Sequence, residues 1–599
     1  MRVEEGFQQC PYDEQHPYIS DPLLSTLLQR VLPEQTFALV NEDLIRFGER
    51  VTTEIRHIAD RATPPVLIQY DQLGRRIDDL QTCESWRLLK AIAQEEGIVA
   101  IQYERKSGAY SRVHSFAKQL LMVGDCQTVF CPLSMTDGAA RVLELEGTQG
   151  MKQEILSKLV SRDAKSAFTA GQWMTERPGG SDVSQTETTA TLPPDCKQGD
   201  VPGARYILNG FKWFSSATDS HVALALARTG PVSSGSRSLS LFLVPLRLPL
   251  SVSNRDNTSN GVFVHRLKNK FGTQIVPTAE LSLEGTEAYL VGPLNRGVKT
   301  ISSVLNITRL YCACDSLGSL RRGFAIARAY AYVRTIDGGK QLLRDNPVHT
   351  AELAKVSLIY GALMQLFFGA VLLLGRVECN VASEDEKRRL RLLTPVVKAF
   401  CAEKAVAALE ECMAALGGLG YMEETGIGRL IRDSLVEKIW EGTITVLSLD
   451  LMRAASDPEA LPAYTRWTDG ILTSVPSGLQ ESLHAPLEFL KSARSMITNL
   501  FTKSDSSVPS LVPRPALMLF AYITTAFDLL EHAIWSDENR PRRIDVEVSA
   551  EAFRRWVEEA GLREAMESVK VALAADGHRI RMDEMLVYGE KTRIEKARL

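Results

Sequence analysis

The sequence predicts an α+β chain that is mostly α: an N-terminal helical domain, a middle antiparallel β-barrel-like domain, a helical bundle, and an extra helical extension. Three observations carry this prediction. Apolar residues recur at helical spacing from Asp21 to about residue 160. The pattern then turns to short β-like runs bounded by Gly, Pro and Ser, up to about residue 290. From Gly297 the helical period returns. Helices, then β, then helices is not the alternation of a doubly wound sheet.

The domains are expected at 1–164, 165–296, 297–455 and 456–599. Residues 1–20 are polar, with prolines at 11 and 17, and are expected as an irregular arm. Asp21-Pro22 suits a helix start ahead of Leu23, Leu24, Leu27 and Leu28. Further helices are expected over 41–62, 85–96, 111–124 and 152–159. The block 64–80 is expected as a turn-rich connector with a loop at Asp71 to Gly74. In the middle domain the runs are 171–175, 187–192, 204–208, 222–229, 239–244, 261–265 and 280–283. The bundle should hold helices over 298–308, 310–335, 348–377, 384–416 and 443–455. In the extension, helical patterns cover 479–500, 515–536 and 546–574.

A chain of 599 residues that is 45% hydrophobic can bury a large core. The net charge of −4 gives no general attraction to nucleic acid or to an anionic membrane. Residues 456–599 carry 18 Lys and Arg against 22 Asp and Glu, so the extension is no basic tail. Ten cysteines without CxxC pairing suit a reducing compartment. The N-terminus, from Met1 to Gly6, has neither an apolar signal region nor the make-up of a transit peptide. The apolar run from Gly361 to Gly375 is expected as a buried helix, too short to span a bilayer. The terminal Ala597-Arg598-Leu599 matches a small-basic-leucine peroxisomal address, which sets a peroxisomal expectation beside a cytoplasmic one.

Four stretches could carry chemistry. Met174-Thr175-Glu176-Arg177-Pro178-Gly179-Gly180-Ser181-Asp182-Val183 brings backbone and hydroxyls close to a ligand, or is a hairpin with a polar tip. Asn209-Gly210 signals a turn before Lys212-Trp213-Phe214-Ser215. Alternation would then put Trp213 and Ser215 on one face, one to stack and one to hydrogen-bond, unless Trp213 is simply core. Arg309 lies in an apolar helical stretch, where it pairs with an anion or lies on the polar face. Arg334 closes a long helix, where a cation also suits the dipole. Last, Gly417-Gly418-Leu419-Gly420-Tyr421 precedes Ile439-Trp440-Glu441-Gly442-Thr443. The glycines are a helix C-cap or a close approach to a ligand. Glu441 is a helix N-terminal carboxylate or a base over a flat cofactor. No GxGxxG after a strand, GxxxxGK[ST], HExxH or GxSxG occurs, and the nine histidines lack metal-ligand spacing.

Taken together and in order, these motifs resemble the acyl-CoA dehydrogenase superfamily over about residues 20 to 455. The block from Pro65 to Leu80, the Met-Thr-Glu form of the turn, the Ile-Trp-Glu-Gly motif and the extension are most similar to its AidB-like branch. The resemblance implies FAD bound across subunit interfaces in a homotetramer or homodimer. It implies that Glu441 removes the α-proton of an acyl thioester while a hydride passes from the β-carbon to flavin N5, with Arg309 near the base. Met174, Thr175, Ser181, Trp213 and Ser215 then contact the flavin region. Arg334, Gly417, Gly418 and Gly420 contact the FAD diphosphate and adenosine, and Thr443 lies beside the cofactor.

Two positions depart from the family pattern. Asp337 stands before Gly338 where an aromatic is usual, and Thr445 stands where an amide is usual. The implied substrate is acyl-CoA or a related thioester. The implied electron acceptor is an electron-transfer flavoprotein or oxygen, and neither a membrane nor a metal is expected. The competing reading is an AidB-type flavoprotein that binds or protects nucleic acid. Its only basic concentration is Arg540, Arg542, Arg543, Arg554 and Arg555, which a solvated helix face also explains. A nitroalkane-oxidase-like reading would want aspartate at the base position, where Glu441 stands.

Overall fold

The computed structural model describes residues 15–196, 198–249, 258–502 and 508–589. The N-terminal stretch from Met1 to Gly6 and the C-terminal Ala597-Arg598-Leu599 lie outside the described residues. By contacts the chain forms two compact units, Met1–Ala382 with Val397–Thr443, and Ser383–Val396 with Ile444–Leu599.

The first unit opens on helices. Asp21 caps the helix Pro22–Val31, its Oδ1 accepting from the N–H groups of Leu23 and Leu24 at 3.1 and 3.2 Å. The stretch expected as a connector over 64–80 is instead a hairpin, β1 (Val66–Tyr70) against β2 (Arg76–Gln81), with its loop at Asp71 to Gly74. The helix Phe130–Glu146 has no counterpart in the sequence expectation. Its buried face carries Thr136, Asp137 and Gly138, which hide the apolar period. Asp137 is buried because Arg112 donates to it at 2.5 and 3.1 Å and Tyr311 at 3.0 Å.

The middle domain holds β3 (Ala170–Trp173), β4 (Thr189–Thr191), β5 (Arg205–Ser216), β6 (Val222–Arg228), β7 (Leu239–Pro245), the two-residue β8 (Arg247–Leu248) and β9 (Thr258–Ser259), β10 (Val262–Leu267) and β11 (Thr278–Val291). The pairings β6–β7, β7–β11, β11–β5, β5–β4 and β4–β6 close a ring. The ring is mainly antiparallel, but β3 and β4 each run parallel to β6, a departure from the expected all-antiparallel order.

Strand β6 is buried on both faces. Val222, Leu224 and Leu226 join the core formed with the helix Phe130–Glu146, and Ala223, Ala225 and Ala227 face the barrel interior. That is why β6 reads as an unbroken apolar run. No turn forms at Asn209-Gly210, because β5 runs straight through it. Gly210 is required there by contact: a Cβ would stand 2.6 Å from the Thr188 Cα.

Two expected helices, 298–308 and 310–335, are one helix, Gly297–Val333. The helix Pro347–Glu378 has 32 residues and Pro513–Asn539 has 27, and both are long and apolar enough to cross a membrane by length and composition. In their most apolar windows 67% and 89% of residues are buried inside the protein, as in core helices of a folded domain. The helix Glu384–Ala414 contains Pro395 and continues through it.

In the second unit, Pro513–Asn539 is the central helix, packed by Arg543–Glu558 and Leu562–Ala574. The expected single helix over 546–574 breaks at Gly561, whose φ is +114° and whose Cβ position lies 2.6 Å from the Tyr522 hydroxyl. A helix over Ala460–Thr473 was not expected from the sequence.

Candidate functional site

Glu441 sits on a sharp elbow. After the short turn Val436–Lys438, Glu441 has φ +56° and Gly442 φ +104°, both left-handed. For glutamate this conformation is strained and needs surrounding support. The supports come from two helices. From Gly297–Val333, the Thr308 hydroxyl lies 2.6 Å from Glu441 Oε2, and Arg309 Nε lies 3.4 Å from the Glu441 carbonyl oxygen. From Glu384–Ala414, Lys398 Nζ donates to the Gly442 carbonyl at 2.7 Å. Just before the elbow, the Trp440 indole N–H donates to Glu437 Oε2 at 2.5 Å.

The electrostatics follow from burial. Desolvation pushes the Glu441 carboxyl above its ordinary range, while Thr308, Arg309 and Lys398 draw it back down. Glu437 is pushed well above the carboxylate range by burial and by the nearby Asp315. Burial pushes Asp315 up to about 7. Burial also lowers the Lys398 ammonium, against the pull of Cys312, Glu437 and Glu441.

The second cluster is built by β3 and β5. Strand β3 delivers Met174, which packs part-buried on the core, and Thr175, whose carbonyl accepts from the Trp213 N–H at 3.0 Å. Glu176 is buried and accepts from Lys212 Nζ at 2.6 Å, from Thr188 Oγ1 at 2.6 Å and from the Glu187 N–H at 2.6 Å. Lys212 also donates to the Leu226 carbonyl at 2.7 Å. Ser181 and Asp182 stand exposed at the tip of the turn.

The expected alternation of Trp213 and Ser215 fails at a bulge. Lys212 pairs with Leu281 and Ser215 with Ala279, so Trp213 and Phe214 together oppose Glu280. Lys212 and Ser215, three residues apart, are therefore both buried. Lys268 Nζ lies 3.2 Å from the centre of the Trp213 ring and 2.6 Å from Glu280 Oε1.

The remaining sequence candidates spread along the first unit. Arg334 ends the helix Gly297–Val333, and its carbonyl accepts from the Leu343 N–H at 2.7 Å. Asp337 is exposed, with φ +51°, at the turn that follows. Gly417 and Gly418 are exposed, and a Cβ on either would meet nothing within 4 Å. Gly420 differs: a Cβ there would stand 2.0 Å from the Met413 carbonyl oxygen, so packing at the helix end requires this glycine. Thr443 is half-buried beside the elbow, and Thr445 is exposed.

Sequence reasoning missed Thr308, Lys398 and Glu437. Lys398 carried a usable signal, a lone cation within the apolar stripe Val396, Val397, Phe400. No group of three or more His, Cys, Asp or Glu among the described residues could hold a metal ion.

A helical N-terminal domain, a mainly antiparallel barrel and a helical bundle that carries the Glu441 elbow together give the acyl-CoA dehydrogenase fold. Residues 8–165 match the Adaptive response protein AidB N-terminal domain, 171–286 the acyl-CoA dehydrogenase middle domain, and 295–456 the acyl-CoA dehydrogenase C-terminal domain. The chain belongs to the acyl-CoA dehydrogenase family, in its AidB-like branch.

Acyl-CoA dehydrogenase family member 11 of Caenorhabditis elegans is 38% identical, with 99% of this chain and 95% of that protein covered. AidB of Escherichia coli is 28% identical over 74% of this chain and 79% of its own length. The crystal structure of Caenorhabditis elegans ACDH-11 in complex with C11-CoA superposes with a TM-score of 0.87 at 37% identity, covering 98% of this chain and 97% of that one. The apo form of Bd2924 gives a TM-score of 0.78 at 38% identity, over 88% and 100%.

Acyl-CoA dehydrogenases are FAD-dependent oxidoreductases. The residues present fit that cofactor. Ser215 Oγ is buried with no hydrogen-bond partner among the described residues, as a hydroxyl reserved for a ligand would be.

Proposed function

We propose that the chain dehydrogenates an acyl-CoA between its α and β carbons, with Glu441 as the base that takes the α-proton. The observation that carries this reading is the Glu441 carboxyl, half-buried, raised in basicity by desolvation and fixed by Thr308 at 2.6 Å. Arg309 steadies the base loop through the Glu441 carbonyl. The Glu441 backbone N–H is the protein's donor for the thioester oxygen as negative charge develops there. FAD, when bound, supplies the hydride acceptor. Met174, Thr175, Ser181, Trp213, Ser215 and Thr443 would hold its ring end, with Ser215 Oγ the strongest candidate. Arg334, Gly417 and Gly418 would hold its diphosphate and adenosine end. Gly420 would lie beside them as a packing residue.

The substrate in this reading is an acyl-CoA, and C11-CoA, the ligand of the ACDH-11 relative, is the first to try. We further propose a homotetramer or homodimer, electron-transfer flavoprotein or oxygen as acceptor, and a peroxisomal or cytoplasmic address. The nucleic-acid reading lacks support in its own cluster. Arg542 pairs with Asp545, Arg543 with Glu547, and Arg554 and Arg555 with Glu551.

The purified protein should be yellow with FAD. Incubation with a panel of acyl-CoA thioesters and an artificial electron acceptor should yield the trans-2-enoyl product, read by mass spectrometry. A protein that takes up FAD yet converts no acyl-CoA from short to very long chain would refute the dehydrogenase reading.

A further inference from the structure

A fully buried lysine lies under the elbow that carries Glu441. Lys398 has no exposed surface, and its Nζ donates to the Gly442 carbonyl at 2.7 Å. Burying an ammonium costs several kcal/mol unless nearby charges and acceptors compensate. Here the compensation comes from the elbow itself. Cys312, Glu437 and Glu441 are the acidic groups that favour the charged form of Lys398, and Arg309 is the cation that opposes it. Glu437 is 2% exposed and is fixed in turn by the Trp440 indole. The carbonyl that Lys398 holds belongs to the residue directly after Glu441, at the point where two successive residues are left-handed. A hydrogen bond placed there opposes relaxation of the strained backbone toward ordinary φ values.

We propose that Lys398 is a positioning residue: by locking the Gly442 carbonyl it holds Glu441 in its left-handed conformation, with the carboxylate against Thr308. The proposal rests on Glu441 being the base. Lys398 touches no reacting atom in this account. It acts through the elbow, and its charge also opposes protonation of Glu441, as that of Arg309 does.

Two variants separate these effects. Lys398→Gln keeps a donor for the Gly442 carbonyl and drops the charge, and Lys398→Met drops both. Each is prepared as the FAD-loaded full chain and reduced anaerobically with C11-CoA in a stopped-flow instrument across pH. Flavin content and the shape of the flavin band should match the wild type in both. Lys398→Met should reduce about 100-fold more slowly, because a base held loosely spends little time in reacting geometry. Lys398→Gln should stay within about tenfold of the wild type, but the acid limb of its pH profile should move alkaline by roughly one unit. Independently of turnover, amide hydrogen exchange across 438–445 should quicken about tenfold or more in Lys398→Met.

Wild-type rate, acid limb and exchange in Lys398→Met would overturn the proposal. If that variant does not fold, Lys398→Leu, which also lacks the donor, takes its place, and a wild-type rate and exchange across 438–445 in it overturn the proposal. Glu441→Gln in the same runs isolates the underlying assignment. Reduction of Glu441→Gln at the wild-type rate means that the base reading fails, whereas a dead Glu441→Gln beside fully active Lys398 variants means that only the Lys398 proposal fails.

Discussion

At Glu441 the backbone and the side chain make opposite demands. The left-handed conformation is costly for glutamate, and burial raises the cost of its charge. Both are offset by donors on neighbouring helices, and Thr308 is the nearest of them. Removing that donor should raise the Glu441 pKa further, since less then favours the ionised form. The base is ionised only above its pKa. Thr308→Val should therefore move the acid limb of kcat/KM alkaline by about one to two units, the equivalent of a hydrogen bond to a charged group. A pH–rate series checks this, and an unmoved limb would detach Thr308 from the base. The residue scale was only partly legible in the sequence. Glu441, Arg309 and Ser215 stand out through motif order. Thr308, Lys398 and Glu437 do not, because their roles arise where the elbow meets the helices Gly297–Val333 and Glu384–Ala414, far away in sequence.

At the scale of elements, the buried pair Glu176–Lys212 ties the turn after β3 to β5. It joins the residue after Thr175 to the residue before Trp213, and so fixes the spacing of the two segments proposed to hold the flavin. Glu176→Gln leaves a buried ammonium unpaired and should destabilise the protein by about 3–5 kcal/mol, lowering the melting temperature and loosening FAD. Lys212 is the principal group that holds the Glu176 carboxyl below its ordinary range, against the opposing effect of burial. The stability it adds is thus present above the ordinary glutamate pKa and fades as pH falls through the lowered value. Melting curves across acidic pH should show the wild type losing this increment and Glu176→Gln lacking it throughout.

Gly210→Ala should also destabilise the barrel, by about 2 kcal/mol or more, because its Cβ meets the Thr188 backbone. Calorimetry tests both variants. The sequence misled at this strand for a local reason. Asn-Gly is a strong turn signal, but here it marks close contact with β4, and the bulge at Trp213 and Phe214 broke the period-two pattern that placed Ser215. Strand β6 was legible as an apolar run because both its faces are buried.

At the scale of the molecule, the sequence order of helix, barrel and helix survives in the structure, since each segment keeps its own hydrophobic period. The extension also folds around an apolar helix, Pro513–Asn539. Four arginines of its basic cluster are paired locally, and Arg540 lies over the Trp535 ring at 5.0 Å. With Arg542, Arg543, Arg554 and Arg555 paired to carboxylates on their own helix segment, double-stranded DNA should show no mobility shift at physiological salt. Oxygen uptake during turnover with C11-CoA should distinguish oxygen from an electron-transfer flavoprotein as acceptor, and sedimentation of the FAD-loaded chain should give a dimer or tetramer.

The central claim is that an acyl-CoA loses its α-proton to Glu441. Anaerobic titration of the FAD-loaded protein with C11-CoA, wild type beside Glu441→Gln, tests it most directly. The yellow flavin band of the wild type should bleach, while Glu441→Gln retains FAD and stays yellow. Bleaching of Glu441→Gln at the wild-type rate would contradict it.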